Sequence, residues 1–517
     1  MEKILVLDFG GQTCQLIARR IREIGVYSEV VPGDTPVESL PLEGVKGIIL
    51  SGSPYSVYDA EAPKVDPRVS SLGIPILGIC YGVQQLAHLF GGKVAPLDHR
   101  EYGRSRLFFT EASPLFEGVP EGFVSWMSHG DTIVEVPEGF RVIARSEHNL
   151  VAGITHERLP LYGIQFHPEV THCEYGLTVL ENFAVRICGA RKTWTMASYL
   201  EDVQGLLRTQ VGDDPLLLLI SGGVDSTVVA ALLLKTFPPE QVHLLYIDTG
   251  LMRKNETEEV EANLRTLGAS NLYIVHAEER FLSALKGVVD PEKKRQIIGD
   301  VFIQVQEEEL RRRRIPDQAF LAQGTLYTDL IESGKGVGNK AKVIKSHHNV
   351  RSPLIERKRK EGRVIEPLSM LYKDEVRRLG AHLGVPREVL ERHPFPGPGL
   401  AVRILGEVTR EKCDILREAD AIFIDELKRR HLYQEIWQAF CVLLPVRTVG
   451  VTGDDRNYGY VVALRAVTSK DGMTADAYPF PTADLLEIAA LITNRVKDVG
   501  RVVYDVSSKP PATIEWE

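Results

Sequence analysis

The stretch Leu216–Leu234, which reads LLLLISGGVDSTVVAALLL, decides the fold of the middle of this chain. Its first five residues form an apolar run that predicts a buried strand, and its last apolar residues predict a buried helix. Between them stands the short polar segment SGGVDS, Ser221–Ser226. Glycine lets the backbone approach a ligand without an intervening Cβ, and the free N–H groups at a helix N-terminus attract anions. The stretch therefore predicts an anion-binding turn between a strand and a helix of an α/β domain.

The carboxylate of Asp225 restricts which anion this turn binds. The turn is not a Walker A loop, because that loop requires Gly-Lys followed by Ser or Thr and there is no lysine here. A tight connection alone would explain two glycines, but it gives no reason for a carboxylate beside them. A carboxylate repels phosphates unless a cation lies between, and Mg²⁺ is commonly shared between one or two carboxylates and phosphates. We therefore predict Mg²⁺ at Asp225.

The rest of the chain shows three styles of sequence. Residues 1–191 alternate short apolar strands with amphipathic helices, which indicates βαβ units and a mostly parallel sheet. The same alternation restarts over residues 192–393 and predicts a second parallel-sheet α/β domain. Residues 394–517 combine a long amphipathic helix near Thr409–Arg430 with strand-like runs, so this smaller domain is expected to be α+β. The predicted fold class is α/β with these three domains.

Composition excludes several classes of protein. The 517 residues carry 61 basic and 70 acidic side chains, a formal net charge of -9, which argues against a general nucleic-acid binder. The six cysteines are widely spaced without a Cys-x-x-Cys pair, so a reducing, cytoplasmic location is expected. No apolar run approaches the roughly 18 residues that a membrane helix needs, so no membrane span is expected.

Two basic runs are candidates for anion contacts. RRRR at Arg311–Arg314 follows three glutamates, a spacing that predicts a solvated helix end with i,i+4 ion pairs. ERKRKEGR at Glu356–Arg363 contains a glycine and lacks apolar periodicity, so a mobile basic loop is predicted there. Such a loop either closes over phosphates or is a plain surface loop.

Cys80 stands between a predicted strand and a predicted helix in PILGICYGVQQL. Gly78 and Gly82 complete the G-x-C-x-G form of a nucleophile elbow, a sharp turn that needs small neighbours. A lone cysteine is usually a small buried hydrophobe, but the elbow and the helix N-terminus favour a reactive thiolate. GIQFHPEV supplies His167 as a proton carrier and Glu169 to orient it.

An oxyanion formed at this cysteine would need backbone donors. LSGSP offers a bare N–H around Gly52 directly after a strand, and the amide of Tyr81 follows the cysteine. GICYGVQ, QFHPE and SGSP together resemble the class I (triad) glutamine amidotransferases, which implies a flavodoxin-like fold. The resemblance implies that Cys80 attacks the side-chain amide of glutamine, forming a glutamyl thioester and releasing ammonia, while His167 carries the proton.

The same resemblance implies that three further residues lie near bound glutamine: Gln84, His129 and Asp131. For the last two, the polarity of a turn would also explain SHGD, Ser128–Asp131.

SGGVDS resembles the PP-loop of the ATP pyrophosphatases, whose fold is adenine nucleotide alpha-hydrolase-like. The resemblance implies that the β and γ phosphates of ATP bind there while an acceptor attacks the α phosphate. YIDTGLMR would lie by the adenosine, and the lysine of VIKSHHN would contact a phosphate. The implied ATP-binding residues are Ser221, Gly222, Gly223, Val224, Asp225, Ser226, Asp248 and Lys345.

The last third carries the resemblance that identifies the acceptor. FPGPGLAVRILGE, VVALRAVTSKDGMTAD and RVVYDVSSKPPATIEWE resemble the GMP synthases (glutamine-hydrolysing), in order over essentially the whole chain. The resemblance implies that XMP is adenylated on its C2 oxygen and aminated, and that residues 394–517 form a homodimer. Its implied XMP ligands are Arg501, Lys509 and Glu515. The chain departs from the expected pattern at Thr328, Arg351, Ser352 and Ala477.

Two alternatives remain at this stage. The first is the same pair of half-reactions with another small carbonyl acceptor, against which only the C-terminal motifs argue. The second is a scaffold or regulatory protein that binds nucleotide or hydrolyses glutamine without synthesis. The complete set Cys80, His167, Glu169 and Asp225 argues against it.

Overall fold

A computed structural model describes residues 1–332, 353–452, 455–469 and 474–517. Lys345, Arg351 and Ser352, which the sequence singled out, lie outside the described residues. The chain divides into two units, each described below by itself. The first is Met1–Tyr199, to which the described residues 328–332 also belong, and the second contains Leu200–Tyr327 and the described residues from 353 onward.

Strands and helices are numbered along the chain. The strands are β1 (Lys3–Asp8), β2 (Tyr27–Pro32), β3 (Val45–Leu50), β4 (Ile76–Ile79), β5 (Lys93–Phe109), β6 (Val124–Glu135), β7 (Phe140–Ser146), β8 (Val151–His156), β9 (Leu161–Ile164), β10 (Leu216–Ile220), β11 (Val242–Asp248), β12 (Asn271–His276), β13 (Phe320–Ala322), β14 (Val364–Ile365), β15 (Gln438–Thr452), β16 (Asp455–Thr468), β17 (Asp476–Ala477) and β18 (Val499–Tyr504). The α-helices are α1 (Cys14–Glu23), α2 (Tyr81–Leu89), α3 (Gly176–Glu181), α4 (Met196–Val211), α5 (Val224–Thr236), α6 (Glu256–Thr266), α7 (Glu278–Leu285), α8 (Pro291–Arg312), α9 (Tyr327–Glu332), α10 (Pro353–Lys360), α11 (Lys373–His382), α12 (Arg387–Leu390), α13 (Arg410–Arg429) and α14 (Thr482–Arg495).

The first unit contains one nine-stranded sheet in the order β2-β1-β3-β4-β9-β8-β7-β5-β6. The five strands from β2 to β9 pair in parallel, as the alternating pattern predicts. The other four extend the sheet with antiparallel pairs. SHGD lies inside β6, so the interpretation of this segment as a turn is wrong. All four residues of this segment line a cavity, and His129 is buried there.

The second unit begins with a fully parallel sheet in the order β12-β11-β10-β13-β14. β10 is the central strand, so both of its faces are covered, which explains its unbroken leucine run. The chain runs outward from β10 through β11 to β12 and then returns to β13 on the other side. Such a reversal of strand order leaves a crevice at the carboxyl ends of the strands, where ligands bind in open α/β sheets. SGGVDS follows β10 at this crevice.

The C-terminal segment adds an antiparallel ladder of β15, β16 and β17, with β18 parallel to β16. Its helices and strands share one hydrophobic core with the parallel sheet of the same unit, since Leu217 and Leu245 belong to the same cluster as Val462 and Ile488. The α+β character of this segment is confirmed. The two boundaries between the three predicted domains, at residues 191 and 393, stay predictions.

The two basic runs have different outcomes. Arg311 and Arg313 pair with Glu307 and Glu309 at the end of α8, which confirms the solvated helix end. The loop predicted over Glu356–Arg363 is wrong, because most of this run lies in α10. Lys358 is buried there and donates to the carbonyl oxygens of Asp317 and Ala319. A lysine can bury its alkyl stem. The number of charged residues in this run therefore did not reveal that one side of the helix is buried.

Candidate active sites

Cys80 occupies a strained elbow between β4 and α2. Its φ of 54° and ψ of -108° lie on the left-handed side of the backbone map, which is costly for a residue other than glycine. The glycines on either side are required by close packing. A Cβ on Gly78 would come within 2.6 Å of the Gly82 backbone, and one on Gly82 within 2.3 Å of the carbonyl oxygen of Leu50. The two glycines therefore leave room for the cysteine to adopt this conformation.

His167 and Glu169 lie beside this elbow. The Nδ1 atom of His167 is 2.7 Å from Oε1 of Glu169, whose side chain is fully buried. The backbone holds both residues in place, because His167 N–H donates to the carbonyl of Trp126 and Arg20 Nε donates to the carbonyl of Glu169. The Cys80 sulfur also interacts with the imidazole and raises the pKa of His167.

The charge state of His167 follows from these neighbours. Burial by itself lowers the pKa of His167, but the Glu169 carboxylate and the Cys80 sulfur outweigh it and raise that pKa well above its usual value. A protonated imidazole beside a cysteine favours the thiolate, which is the nucleophilic form. The arrangement can therefore accept a proton from the sulfur and keep it close to the place where a leaving group would form.

A cavity of about 860 Å³ opens in front of the sulfur. Gly52 lies so close to the triad that a Cβ on it would be 3.3 Å from Cε1 of His167. The structure brings together at this cavity seven of the residues predicted from the sequence: Gly52, Cys80, Tyr81, Gln84, His129, Asp131 and His167. Glu169 lies behind the imidazole and does not line the cavity.

Two parts of this site were missed by reasoning from the sequence. The segment Gly10–Thr13 also lines the cavity. Its two glycines, which come shortly after the end of β1, were the feature of the sequence that could have indicated it. Gln165 lies two residues before His167, and its amide contacts the cysteine sulfur. The available signal was its place in the predicted strand LYGIQFHPE, two residues before His167, where a period of two would put both side chains on the same side.

The turn after β10 has the geometry of a phosphate-binding loop. Gly222 has a φ of +76°, and Gly223 caps the N-terminus of α5. Ser226 stiffens the turn, because its Oγ accepts from the N–H of Ser221 and donates to the carbonyl of Gly223. Val224 begins the helix and is buried. The turn thus presents a helix N-terminus and backbone N–H groups at the crevice of the sheet.

Asp225 points from the first turn of α5 toward a lysine that the sequence did not single out. Both carboxylate oxygens of Asp225 accept from Nζ of Lys373, at 2.6 and 2.7 Å. Lys373 is the first residue of α11, where the helix dipole disfavours a cation. A lysine at the start of a helix is unfavourable, and this feature of the sequence could have indicated that Lys373 has another role. The pair puts one carboxylate and one ammonium group beside the turn, a set suited to a metal-bound polyphosphate.

Asp248 ends β11, next to β10 in the sheet. Its Oδ1 accepts from the N–H of Gly250 at 2.9 Å, and its Oδ2 lies 3.3 Å from Nδ1 of His276. The carboxyl ends of parallel strands meet at the same edge of a sheet. Asp248 therefore lies at the same edge as the turn after β10. Lys345 lies outside the described residues.

The three predicted XMP ligands are placed differently. Arg501 is exposed on β18. Lys509 exchanges two backbone hydrogen bonds with Ala475. The carboxylate of Glu515 accepts from both Nε and Nη2 of Arg403, at 3.1 and 2.8 Å, and from Gln438. A carboxylate has roughly four acceptor positions, so Glu515 retains some capacity for a ligand.

The fold and the two sites define a class I glutamine amidotransferase joined to a PP-loop nucleotide-binding unit. Three families match along the chain: "Glutamine amidotransferase class-I" over residues 5–187, "Asparagine synthase" over residues 204–294 and "GMP synthase C terminal domain" over residues 425–516. The chain belongs to the family of glutamine-hydrolyzing GMP synthases, as its full-length relatives show.

These relatives match almost from end to end. A curated GMP synthase [glutamine-hydrolyzing] of Carboxydothermus hydrogenoformans is 51% identical over 515 residues, 100% of this chain and 99% of that protein. The one of Aquifex aeolicus is 52% identical over 514 residues, 99% of each. Among solved structures, a putative GMP synthase subunit from Thermoplasma acidophilum is 33% identical, covers 37% of this chain and 94% of its own, and has a TM-score of 0.32.

Proposed function

We propose that the first unit hydrolyses glutamine to ammonia and glutamate at Cys80, and that the second uses ATP to aminate XMP at the turn after β10. The products of the whole reaction are GMP, AMP, pyrophosphate and glutamate. The observation that carries the proposal is the strained Cys80 elbow facing the buried His167–Glu169 pair, in one chain with a PP-loop at the crevice of a parallel sheet.

In the glutaminase half-reaction, His167 accepts the thiol proton and the Cys80 sulfur attacks the amide carbon of glutamine. The backbone N–H groups of Gly52 and Tyr81 stabilise the negative oxygen that forms. His167 then gives its proton to the departing ammonia, which leaves a glutamyl thioester. Water hydrolyses this thioester with the same imidazole as base. Gln84, His129 and Asp131 line the cavity and orient the substrate.

In the synthetase half-reaction, the loop Ser221–Ser226 binds the β and γ phosphates of ATP, and Asp248 lies toward the adenosine. The C2 oxygen of XMP attacks the α phosphate, pyrophosphate leaves, and ammonia then displaces AMP from C2. Lys373 neutralises Asp225 before ATP binds and becomes available to a phosphate when the carboxylate takes another partner.

Magnesium fits the residues at this turn. One carboxylate that reaches solvent, beside the phosphates of a bound nucleotide, is a usual set of Mg²⁺ ligands. Asp225 would hold the ion, which when bound supplies positive charge to the phosphates. Among the described residues no cluster of three or more His, Cys, Asp or Glu side chains offers a further metal site.

XMP is proposed to bind at the C-terminal tail through Arg501, Lys509 and Glu515. The support is the way the tail is fastened. The fully buried guanidinium of Arg465 donates to the carbonyl oxygens of Ser507, Thr513 and Ile514. A tail held in this way presents its polar groups in a fixed arrangement, which a nucleotide site requires.

Product analysis tests the whole proposal. We expect a mixture of XMP, ATP, magnesium, glutamine and the protein to form GMP and AMP in equal amounts, because each adenylated XMP releases one AMP. Mass spectrometry of the products measures both. AMP formation that depends on a carbonyl compound other than XMP would indicate a different acceptor, and glutamate formation without AMP under all conditions would indicate a protein that does not synthesise.

We also propose a homodimer through residues 394–517. The support is an exposed apolar pair at the far end of the antiparallel ladder, where Val449 and Tyr458 are register partners and are 50% and 57% exposed. Exposed apolar patches of this kind commonly mark protein interfaces.

Charge placed on this pair should separate the dimer. We expect the double substitution Val449→Glu and Tyr458→Glu to halve the mass measured by light scattering after gel filtration, because burying two carboxylates is costly. Leu206→Glu is the control, since Leu206 is also an exposed apolar residue, at 66%, but lies outside residues 394–517. A wild-type mass equal to one chain, or a double variant that keeps twice that mass, would contradict the proposed interface.

A cytoplasmic location is proposed because all six cysteines are free thiols, as expected in a reducing compartment. None of the helices in the described part of the chain has the length and apolar character to cross a membrane. Fractionation of cells that express the tagged chain would locate it, and recovery outside the cytoplasmic fraction would contradict this proposal.

A further inference from the structure

The side chain of Gln165 is buried against the reactive sulfur, and the mechanism above gives it no role. Gln165 is only 1% exposed and lies just after β9, on the route to His167. Its Nε2 atom is 3.7 Å from Sγ of Cys80, a normal distance for a hydrogen bond to sulfur. Its Oε1 atom is 3.3 Å from Nε2 of Gln84. The amide therefore bridges the nucleophile and a residue proposed to bind glutamine.

The hydrogen-bond network determines which end of this amide faces the sulfur. The carbonyl oxygen of Asp131 can only accept, and it lies 2.9 Å from Gln84, so the atom of Gln84 at that place must be the NH₂ group. The same NH₂ group faces the side chain of Gln165, which must therefore present its oxygen. The remaining end of the Gln165 amide, its NH₂ group, is left to face Cys80. The opposite orientation would set two donors against each other.

The other groups around the sulfur decide what a donor does there. The Cys80 thiol lies 3.8 Å from the carbonyl oxygen of Ser128, to which only the protonated sulfur can donate. Glu169 accepts from His167, and the carboxylate and the Cys80 sulfur raise the pKa of this imidazole. His129 and Asp131 face the same cavity. Among these contacts the Gln165 N–H is a neutral donor, and a hydrogen bond to an ionised acceptor is much stronger than one to a neutral acceptor.

We infer that Gln165 is a further catalytic residue, which stabilises the Cys80 thiolate by donating its side-chain N–H to Sγ. This inference rests on the proposed glutaminase function of the same site. When the thiol proton moves to His167, the electron pair stays on sulfur and the hydrogen bond from Gln165 strengthens. When the C–S bond forms, the thioester sulfur becomes a weak acceptor. Hydrolysis of the thioester restores the thiolate, so Gln165 also favours the second half of the glutaminase reaction.

Two substitutions separate this role from simple packing. Gln165→Met keeps the length of the side chain and removes the donor. Gln165→Glu keeps its shape and replaces the NH₂ group by an oxygen that repels a thiolate. We expect the rate of Cys80 alkylation by iodoacetamide, followed against pH by mass spectrometry of the full chain without substrates, to fall at pH 7 roughly tenfold for the first variant. The midpoint of the pH profile should rise in the order wild type, Met, Glu.

The matched control is Gln85→Met. Gln85 is a buried glutamine one residue from Gln84, and its Oε1 accepts from the N–H of Val65 rather than contacting the sulfur. Its alkylation profile should coincide with that of the wild type. GMP formation from added ammonium should stay within roughly twofold in all three variants, which shows that each chain is folded, while glutamine-dependent formation falls only in the two Gln165 variants.

The outcomes are distinct. Wild-type alkylation midpoints in both Gln165 variants would overturn the inference, even if their glutaminase rates fell, because a packing role would not move the profile in either direction. A different result is that the midpoint shifts in the variants but the wild-type protein hydrolyses no glutamine. That result would overturn the proposed function and leave the Gln165–sulfur contact established. If the Met variant fails to fold, the nearly isosteric Glu variant decides, since its profile must shift the most.

Discussion

Replacing Cys80 by alanine should abolish glutamine-dependent GMP formation and leave formation from added ammonium at the wild-type rate. The sulfur is the atom that must form a bond to the amide carbon, and no other cysteine is among the described residues that line the cavity. Removal of a catalytic nucleophile commonly lowers the reaction rate by roughly four or more orders of magnitude. The second unit keeps its own residues in this variant, so its half-reaction should continue when ammonia is supplied directly.

The measurement is the initial rate of GMP formation with either glutamine or ammonium chloride as the nitrogen source. Cys188→Ala provides the control, because Cys188 belongs to the same unit and does not line the cavity. It should retain both activities. Loss of both activities in the Cys80 variant would show that the two half-reactions are not divided between the two sites, and the assignment of Cys80 would then have to be abandoned.

The parts of the sites that could be predicted are those in which neighbouring residues determine the local backbone. Gly78 and Gly82 permit the elbow at Cys80, because a side chain on Gly78 would meet the backbone of Gly82 and one on Gly82 would meet Leu50. The turn after β10 is similar, because a leucine run that ends in two glycines and continues as an apolar helix has few other arrangements. The parallel pairing of β10 and β11 follows from the same alternation of strands and helices.

The parts that could not be predicted depend on contacts between distant residues. Lys373 meets Asp225 across 148 positions, and Gln165 meets Cys80 across 85. No local pattern fixes which side chains meet over such distances, since the pairing depends on how helices and strands pack. The antiparallel extension of the first sheet has the same origin, because β5 pairs with both β6 and β7 through registers that turns alone do not determine.

Asp225→Ala should stop pyrophosphate release with either nitrogen source, in contrast to the change at Cys80. The carboxylate lies in the first turn of α5 at the crevice of the sheet, where it is proposed to hold the ion that neutralises the phosphates. Loss of a group that stabilises charge in the reaction commonly costs a factor of roughly 10² to 10³ in rate. Release of pyrophosphate from ATP in the presence of XMP, with and without ammonium, measures this step directly.

The contact between Asp225 and Lys373 offers a second explanation for a loss of pyrophosphate release in Asp225→Ala. Matched variants can distinguish this explanation from the loss of a metal ligand. If Asp225 served only to hold Lys373, then Lys373→Met would cause the same loss and Asp225→Asn would be equally harmful at every magnesium concentration. The side chains are 31% and 45% exposed, so their ion pair contributes at most about 1 kcal/mol to stability. Unfolding therefore cannot account for a large loss of rate. We expect Asp225→Asn to require far more magnesium than Lys373→Met. An unchanged magnesium dependence in the Asp225 variant would remove this carboxylate from the metal site, because a metal ligand cannot be lost without weakening the binding of its ion.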